Sequence, residues 1–312
     1  MGVRFSRIMA AVTILLCTLD GERFLAEQLA SLEAQTLVDW NMVAADDGSR
    51  DSTLALLRQF QQKHGAGRVA IGSGPRRGFV ANFLQLACRE DLNSSYYAFC
   101  DQDDLWETDK LERALSVVGK GPAPAVYCSR TTLINEAGAV VGLSPAFRRP
   151  PSFQNALVQS IAGGNTFVFN EAVRNLLRHA GPDVRVPSHD WWLYLVTTAC
   201  GGRVYYDLRP SVRYRLHNEN EVGSNLGVQA RMLRLHMLLK GRFRQWMHDN
   251  IAALQPLKPF MTDGALNALD HFERARELPL PSRLRSFRQS GIHRQTVVGN
   301  VGLAFGALVN RI

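Results

Sequence analysis

Residues 96–106 read Tyr96-Tyr97-Ala98-Phe99-Cys100-Asp101-Gln102-Asp103-Asp104-Leu105-Trp106. Five uncharged residues run straight into three carboxylates held within four positions. An apolar run of strand length suits a strand covered on both faces, the setting of a parallel sheet. Carboxylates this crowded repel one another and need a cation or wide solvation to stay ionised together. The same arrangement recurs upstream. Trp40–Ala45 ends in Asp46-Asp47-Gly48-Ser49, and Ala11–Cys17 ends in Thr18-Leu19-Asp20-Gly21. Between these runs, Leu25, Leu29 and Leu32 recur at helical spacing, as do Thr53, Leu56, Leu57 and Phe60 behind a Ser49 or Asp51 cap. Arg68–Ile71 reads as a short strand and Gly78–Cys88 as a helix. This alternation predicts an α/β fold with a doubly wound, mostly parallel sheet and right-handed crossovers. Ligands of such sheets bind beyond the carboxyl ends of the strands, where both acidic clusters fall.

Downstream, Ala123–Cys128 reads as a strand and residues 142–153, rich in Pro and Arg, as a surface loop. Gly163-Gly164-Asn165 precedes a strand over Thr166–Asn170, and His189-Asp190-Trp191-Trp192 opens an apolar helix running to about Cys200. Val204–Tyr206 and Ser211–Tyr214 read as two short strands, and an Arg-rich helical stretch follows Leu226. The expected division is a ligand-binding unit over 1–225 and a basic helical extension over 226–312.

The 312 residues, 46% hydrophobic and 21% charged, exclude a disordered or fibrous chain. Five cysteines without a C-x-x-C spacing argue against a disulfide framework and a zinc ribbon, and for a reducing compartment. No apolar stretch reaches the length of a membrane-spanning helix. Arg4 and Arg7 before Met9–Cys17 imitate a secretory leader, but that run leads directly into the fold's first strand and helix. Of the net charge of +8, residues 201–312 supply the entire surplus, with 17 Lys+Arg against 8 Asp+Glu. Such a block suits an anionic partner, or a solvated face. No nucleic-acid motif accompanies it. Val297–Val309 is apolar except for Asn300 and follows Arg283, Arg285, Arg288 and Arg294. It suits either the interface of an anionic membrane, with residues 283–312 as the contact, or a helix packed back on the domain.

Asp101 and Asp103 flank a single residue at a strand end, so a tight turn brings two hard oxygen ligands together. Mg²⁺ or Mn²⁺ prefers such ligands and often shares its sphere with substrate phosphates; Asp-rich turns also occur without any ion. Thr18-Leu19-Asp20-Gly21-Glu22-Arg23-Phe24-Leu25, Asp46-Asp47-Gly48-Ser49-Arg50-Asp51, Asp101-Gln102-Asp103-Asp104-Leu105-Trp106 with Lys110-Leu111, His189-Asp190-Trp191-Trp192 and Tyr214-Arg215-Leu216-His217 stand in consistent order over roughly 11–225. Together they resemble family 2 glycosyltransferases, in particular the bacterial rhamnosyltransferase-like branch. The resemblance implies a GT-A fold, a nucleotide-diphosphate sugar donor (dTDP-, UDP- or GDP-linked), a glycan or lipid-linked acceptor, a divalent metal and inversion at the anomeric carbon.

Carried over residue by residue, it implies that Thr18, Asp20, Glu22, Asp47 and Arg77 hold the donor, with Asp47 accepting from the base. Asp101 faces the ribose and the metal, and Asp103 ligates the metal. His217 is a third ligand or a diphosphate contact. Asp190 is the general base. Trp191 and Trp192 are available to stack on a sugar, although tandem residues on a helix point different ways. Leu19-Asp20 stands where the family more often has Tyr-Asn, Arg76 where Asn is usual, and Thr108 where Pro is common; these departures bear on substrate. The resemblance further implies a bacterial cytoplasmic protein, peripheral to the inner face of the membrane and active in surface polysaccharide synthesis. Two alternatives stand beside it. One is an inactive homologue acting as a binding module. The other is a dinucleotide enzyme, suggested by Gly72-Ser73-Gly74-Pro75-Arg76-Arg77-Gly78, whose spacing is one residue too long and which follows the third strand rather than the first.

Overall fold

The computed structural model describes residues 11–119, 121–217 and 242–312. The leader-like residues Arg4 and Arg7, the boundary at 225/226, and the start of the Arg-rich stretch after Leu226 lie outside these residues.

β1 (Val12–Thr18) is buried along its whole length. It runs parallel to β2 (Trp40–Asp46) on one side and β4 (Tyr96–Cys100) on the other, and β3 (Val69–Ser73) extends the parallel run beyond β2. Successive strand side chains point to opposite faces, so these strands fill two separate cores. Leu15, Val43, Tyr97 and Phe99 enter one, together with α3 (Phe79–Cys88). Ile14, Met42, Ala44 and Ala98 enter the other, with α1 (Leu25–Glu33) and α2 (Thr53–His64). A strand that is apolar at every position therefore has a helix layer on each side, and these four strands lie close to their expected bounds.

Past β4 the sheet becomes mixed. β5 (Leu105–Trp106), β6 (Ala125–Ile134), β7 (Val140–Leu143), β8 (Val168–Asn170) and β9 (Arg203–Arg215) complete a nine-stranded sheet in the order 3-2-1-4-8-6-9-5, with β7 paired to β6. β8 is antiparallel to both β4 and β6, whereas β6 and β9 are parallel. The expected loop from 142 begins inside β7, a short hairpin strand with no buried residue, so periodicity had no inward face to record.

The two short strands expected at 204–206 and 211–214 are halves of one strand, β9. Between them the ladder jumps from Ser129↔Asp207 to Thr131↔Val212, five steps along β9 against two along β6. Arg113, on α4 (Lys110–Val118), holds this bulge through the Asp207 carboxylate and the carbonyls of Arg209 (2.8 Å) and Pro210 (3.1 Å). Bulges re-aim the strand that carries them. Here the re-aimed half pairs antiparallel with β5, which brings Arg215 and His217 to the acidic turn.

α5 (Phe153–Ala156), α6 (Glu171–Ala180) and α7 (His189–Ala199) cover the first core. α8 (Arg242–Ala253), α9 (Asp263–Glu277), α10 (Leu280–Ser290) and α11 (Val297–Leu308) follow. Met247, Leu257, Phe272, Leu303 and Ile312 join Trp192 and Leu195 in one continuous core. The helical extension thus packs on the α/β unit and shares its interior.

Candidate active site

Three strand ends meet at the site, and most of their polar side chains are occupied in holding one another. Thr18 Oγ1 donates to Asp46 Oδ1 (2.9 Å), and Asp46 Oδ2 accepts the amides of Gly48 (3.1 Å) and Ser49 (2.9 Å). Asp20, in the left-handed region at φ 46°, accepts the Arg50 amide (2.7 Å). Glu22 accepts the Ser52 amide (2.9 Å), while its own amide donates to Asp51 (2.9 Å). The two loops are therefore clasped reciprocally. The structure brings Thr18, Asp20 and Glu22 to one loop junction, where Thr18 donates to a carboxylate and Asp20 and Glu22 accept backbone amides of the neighbouring loop.

Asp47 is buried, and both its oxygens are taken by the loop after β3. The amides of Arg76 (2.5 Å) and Gly78 (3.0 Å) donate to them. Arg76 and Gly78 both have positive φ, which turns their amides inward, and a Cβ at Gly74 would press on Asp47 and Asn82. The glycine-rich loop thus cradles a carboxylate of its own chain where a dinucleotide fold would cradle phosphate. Arg77 extends to Asp183 (2.6 Å) in an exposed ion pair, apart from these loop contacts.

The acidic turn divides its carboxylates by role. Asp104 is fully buried; it accepts the Arg215 amide (2.9 Å) and the Asn165 side-chain amide, so it belongs to the scaffold. Lys110 is also buried, donates to the Asn165 carbonyl (2.6 Å) and lies 3.1 Å over the Trp106 ring. Burial drives its pKa well down, against the pull of Cys100, Asp101 and Asp104. Arg215 has no exposed surface. Its guanidinium reaches the carbonyls of Asp103 (3.0 Å) and Glu136 (2.7 Å) and the Glu27 carboxylate (2.8 Å). Gln102 pairs with both backbone groups of Leu19, at 2.8 Å each, tying the turn to the β1 loop. Gln102 and Arg215 are positioning residues that spacing does not single out. The only signal for either was membership of the family-like motifs.

Asp101 and Asp103 complete the turn. Asp103 Oδ2 lies 2.8 Å from His217 Nε2, with the imidazole against Phe24 at 5.3 Å. Burial first, then the Asp103 and Asp190 carboxylates, push the Asp101 pKa up to about 8. Asp190 stands in the first turn of α7. Burial raises its pKa, opposed by hydrogen bonds from Ser188 and from the amides of Trp191 (2.6 Å) and Gly164. Among the described residues no three His, Cys, Asp or Glu side chains converge on one point, so Asp101, Asp103 and His217 are neighbours and not a closed ligand triad. A paired carboxylate and imidazole beside a second carboxylate still fits a Mg²⁺ or Mn²⁺ ion that takes its remaining ligands from substrate phosphates and water.

His189 precedes Asp190 and is nearly inaccessible. Its ring stacks on Phe83 at 4.0 Å and meets Phe99 edge-on at 4.8 Å, and neither nitrogen has a hydrogen-bond partner among the described residues. A Cβ at Gly164 would collide with His189 Nε2, so glycine is needed there for close approach. Neither Trp191 nor Trp192 is available to stack on a sugar, which corrects the sequence-based expectation. Trp191 is 7% and Trp192 0% exposed, and the Trp191 indole donates to the Ala156 carbonyl (2.6 Å). Both are core residues because α7 is covered by α5, α6 and the C-terminal helices on every apolar side.

Residues 13–174 match the family described as glycosyl transferase family 2. The dTDP-rhamnosyl transferase RfbG of Shigella flexneri is 28% identical over 242 residues, 74% of this chain and 81% of that protein. The β-1,3-glucosyltransferase WfgD of Escherichia coli is 24% identical over 37% of this chain and 44% of its own length. Among solved structures, S. aureus TarS 1–349 superposes with a TM-score of 0.53 at 14% identity over 90% of both chains. The mannosyltransferase PcManGT of Pyrobaculum calidifontis, solved with GDP-Man and Mn²⁺, gives 0.50 at 17% identity over 99% of this chain and 88% of its own. The fold is therefore GT-A, and the chain belongs to family 2 of the glycosyltransferases.

Proposed function

We propose that the protein transfers a sugar, rhamnose or a similar hexose, from a nucleotide-diphosphate donor to a glycan or lipid-linked acceptor, with inversion, in bacterial surface polysaccharide synthesis. The protein would work in the cytoplasm at the inner face of the membrane. Asp190 takes the proton of the acceptor hydroxyl as that oxygen attacks the anomeric carbon. The bond from that carbon to the diphosphate oxygen breaks on the opposite side, and the diphosphate leaves with the electron pair. The observation that carries this reading is the placement of Asp190 in electrostatic reach of Asp101. A base in the first turn of α7 and a donor-side carboxylate just past the end of β4 would thus act on the same donor–acceptor pair.

Asp47 would read the base of the nucleotide, and Thr18, Asp20 and Glu22 would keep the surrounding loops in place. Arg77 would join them only by leaving Asp183. Asp103 and His217, with Asp101, would hold a divalent ion. When bound, such an ion supplies positive charge to the departing diphosphate. The dTDP-linked donor is favoured by the rhamnosyltransferase relative, which matches over most of both chains.

Thermal stabilisation by dTDP, UDP and GDP, with and without Mn²⁺, tests the donor half of the reading. A metal-dependent shift with one diphosphate, lost in Asp103→Ala, is expected. Asp190→Asn should keep that shift and lose turnover by 10²-fold or more, roughly the contribution of a general base. Unchanged turnover would remove Asp190 as the base. No shift with any diphosphate would favour an inactive homologue.

A further inference from the structure

α11 is apolar on its outward as well as its inward face, which is unusual for a helix on the surface of a domain. A helix on a soluble domain normally turns its apolar stripe inward and its polar face to water. α11 instead buries Leu303, Gly306 and Ala307 and presents Val297 (77% exposed), Val298 (79%), Val301, Ala304, Phe305 and Leu308 to solvent. At 100° per residue these six positions fall on a single arc of the helix. The only polar side chain in the helix, Asn300, is withdrawn from that arc; it donates to the carbonyls of Arg294 and Thr296 at 2.8 Å each. The outward face therefore carries no polar side chain.

The segment that carries this face is one-sided in charge. From Leu278 to Ile312 the chain has five Arg and no Asp or Glu. Arg283 reaches the carbonyls of Ala307 (3.3 Å) and Leu308 (3.4 Å), which ties α10 to the end of α11. α10 adds exposed Leu280 and Leu284 to the apolar patch and carries exposed Arg285 and Arg288. An apolar arc without polar side chains, on a segment that carries five arginines and no acidic residue, matches the acyl–headgroup boundary of an anionic bilayer.

We propose that the outward faces of α10 and α11 form a docking surface for an anionic membrane. Val298, Val301 and Phe305 enter the acyl boundary, and Arg285 and Arg288 meet the lipid phosphates. The rest of each helix stays packed on the domain, so docking requires no unfolding. This surface is independent of the catalytic assignment.

Co-sedimentation of the full chain with vesicles tests it, comparing phosphatidylglycerol–phosphatidylethanolamine with pure phosphatidylcholine. Binding to the anionic vesicles is expected, weakened by raising NaCl from about 0.1 to 0.5 M, because screening shortens the reach of charge. Val298→Glu with Val301→Glu should lower the partition coefficient by about tenfold or more, and Arg285→Gln with Arg288→Gln by a similar factor. Nucleotide-induced thermal shifts of both variants should equal those of the parent, which separates lost docking from lost folding. Absence of binding to anionic vesicles, or equal binding to phosphatidylcholine, would overturn the proposal. So would a self-associated species in solution that the Val298→Glu and Val301→Glu pair dissolves, which would assign the face to a second copy.

Discussion

His189 sits between Phe83, Phe99 and the backbone of Gly164 with no partner for either nitrogen among the described residues. Burial pushes its pKa down to about 3, so it is neutral in the folded protein. The unfolded chain regains an ordinary imidazole and binds the proton first. Stability is therefore complete above about pH 6.5 and falls as pH drops toward 3, by about 1.4 kcal/mol per pH unit from this residue. Denaturant titrations at pH 4.5 and 7 should show a smaller loss for His189→Leu than for the parent; equal losses would mean that the ring already has a proton acceptor. The sequence revealed the neighbouring acid, Asp190, because its motif is contiguous. It could not reveal the isolation of His189, which depends on two phenylalanines from α3 and β4 and on a glycine from a third segment. The clasp between the Asp20 and Asp51 loops was hidden for the same reason: it is a contact between strand ends far apart in the chain.

At the scale of elements, β9 does most to complete the site. Its bulge lets one strand serve β6 along its length and β5 at its end, and Arg215 fastens that end to Asp103, Glu136 and Glu27. Arg215→Met should destabilise the protein by about 3 kcal/mol, since it strips donors from buried acceptors. It should also weaken nucleotide-induced stabilisation, because Asp103 and His217 lose their common support. Arg215→Lys should not restore either property, as an ammonium cannot span three partners set around a planar fork. Calorimetry with and without nucleotide reads both effects. β1 to β4 were legible because burial on both faces leaves an unbroken apolar record. The joining of 204–206 to 211–214 was not, since exposed Leu208 and Arg209 and the Pro210 break look like a turn when read alone. Strand direction past β4 was equally silent, because side-chain pattern is the same for either direction.

Across the whole molecule, the two cores are not equivalent. The one beneath α1 and α2 is confined to the α/β unit, whereas the other runs on through α7 into the C-terminal helices. Removing residues 297–312 would uncover that second core by withdrawing Leu303, Ala307 and Ile312, a loss of about 5 kcal/mol by transfer of their side chains. A drop in Tm on the order of 10 °C is expected; an unchanged Tm would show that α11 only rests on the surface. Composition and charge made the basic, apolar end of the chain visible; of its two expected roles, packing back on the domain is seen in α11, and membrane contact is the proposal made for its outward face. No order of residues could reveal which face was which without the core that Leu303 and Ala307 enter. The shared core also has a consequence for how such a protein diversifies. The same helix that displays the outward arc also plugs the interior beside the Asp190 helix, so recombination cannot exchange it as a cassette. Lineages would retune that surface one side chain at a time, while the inward residues stay fixed by the packing they complete.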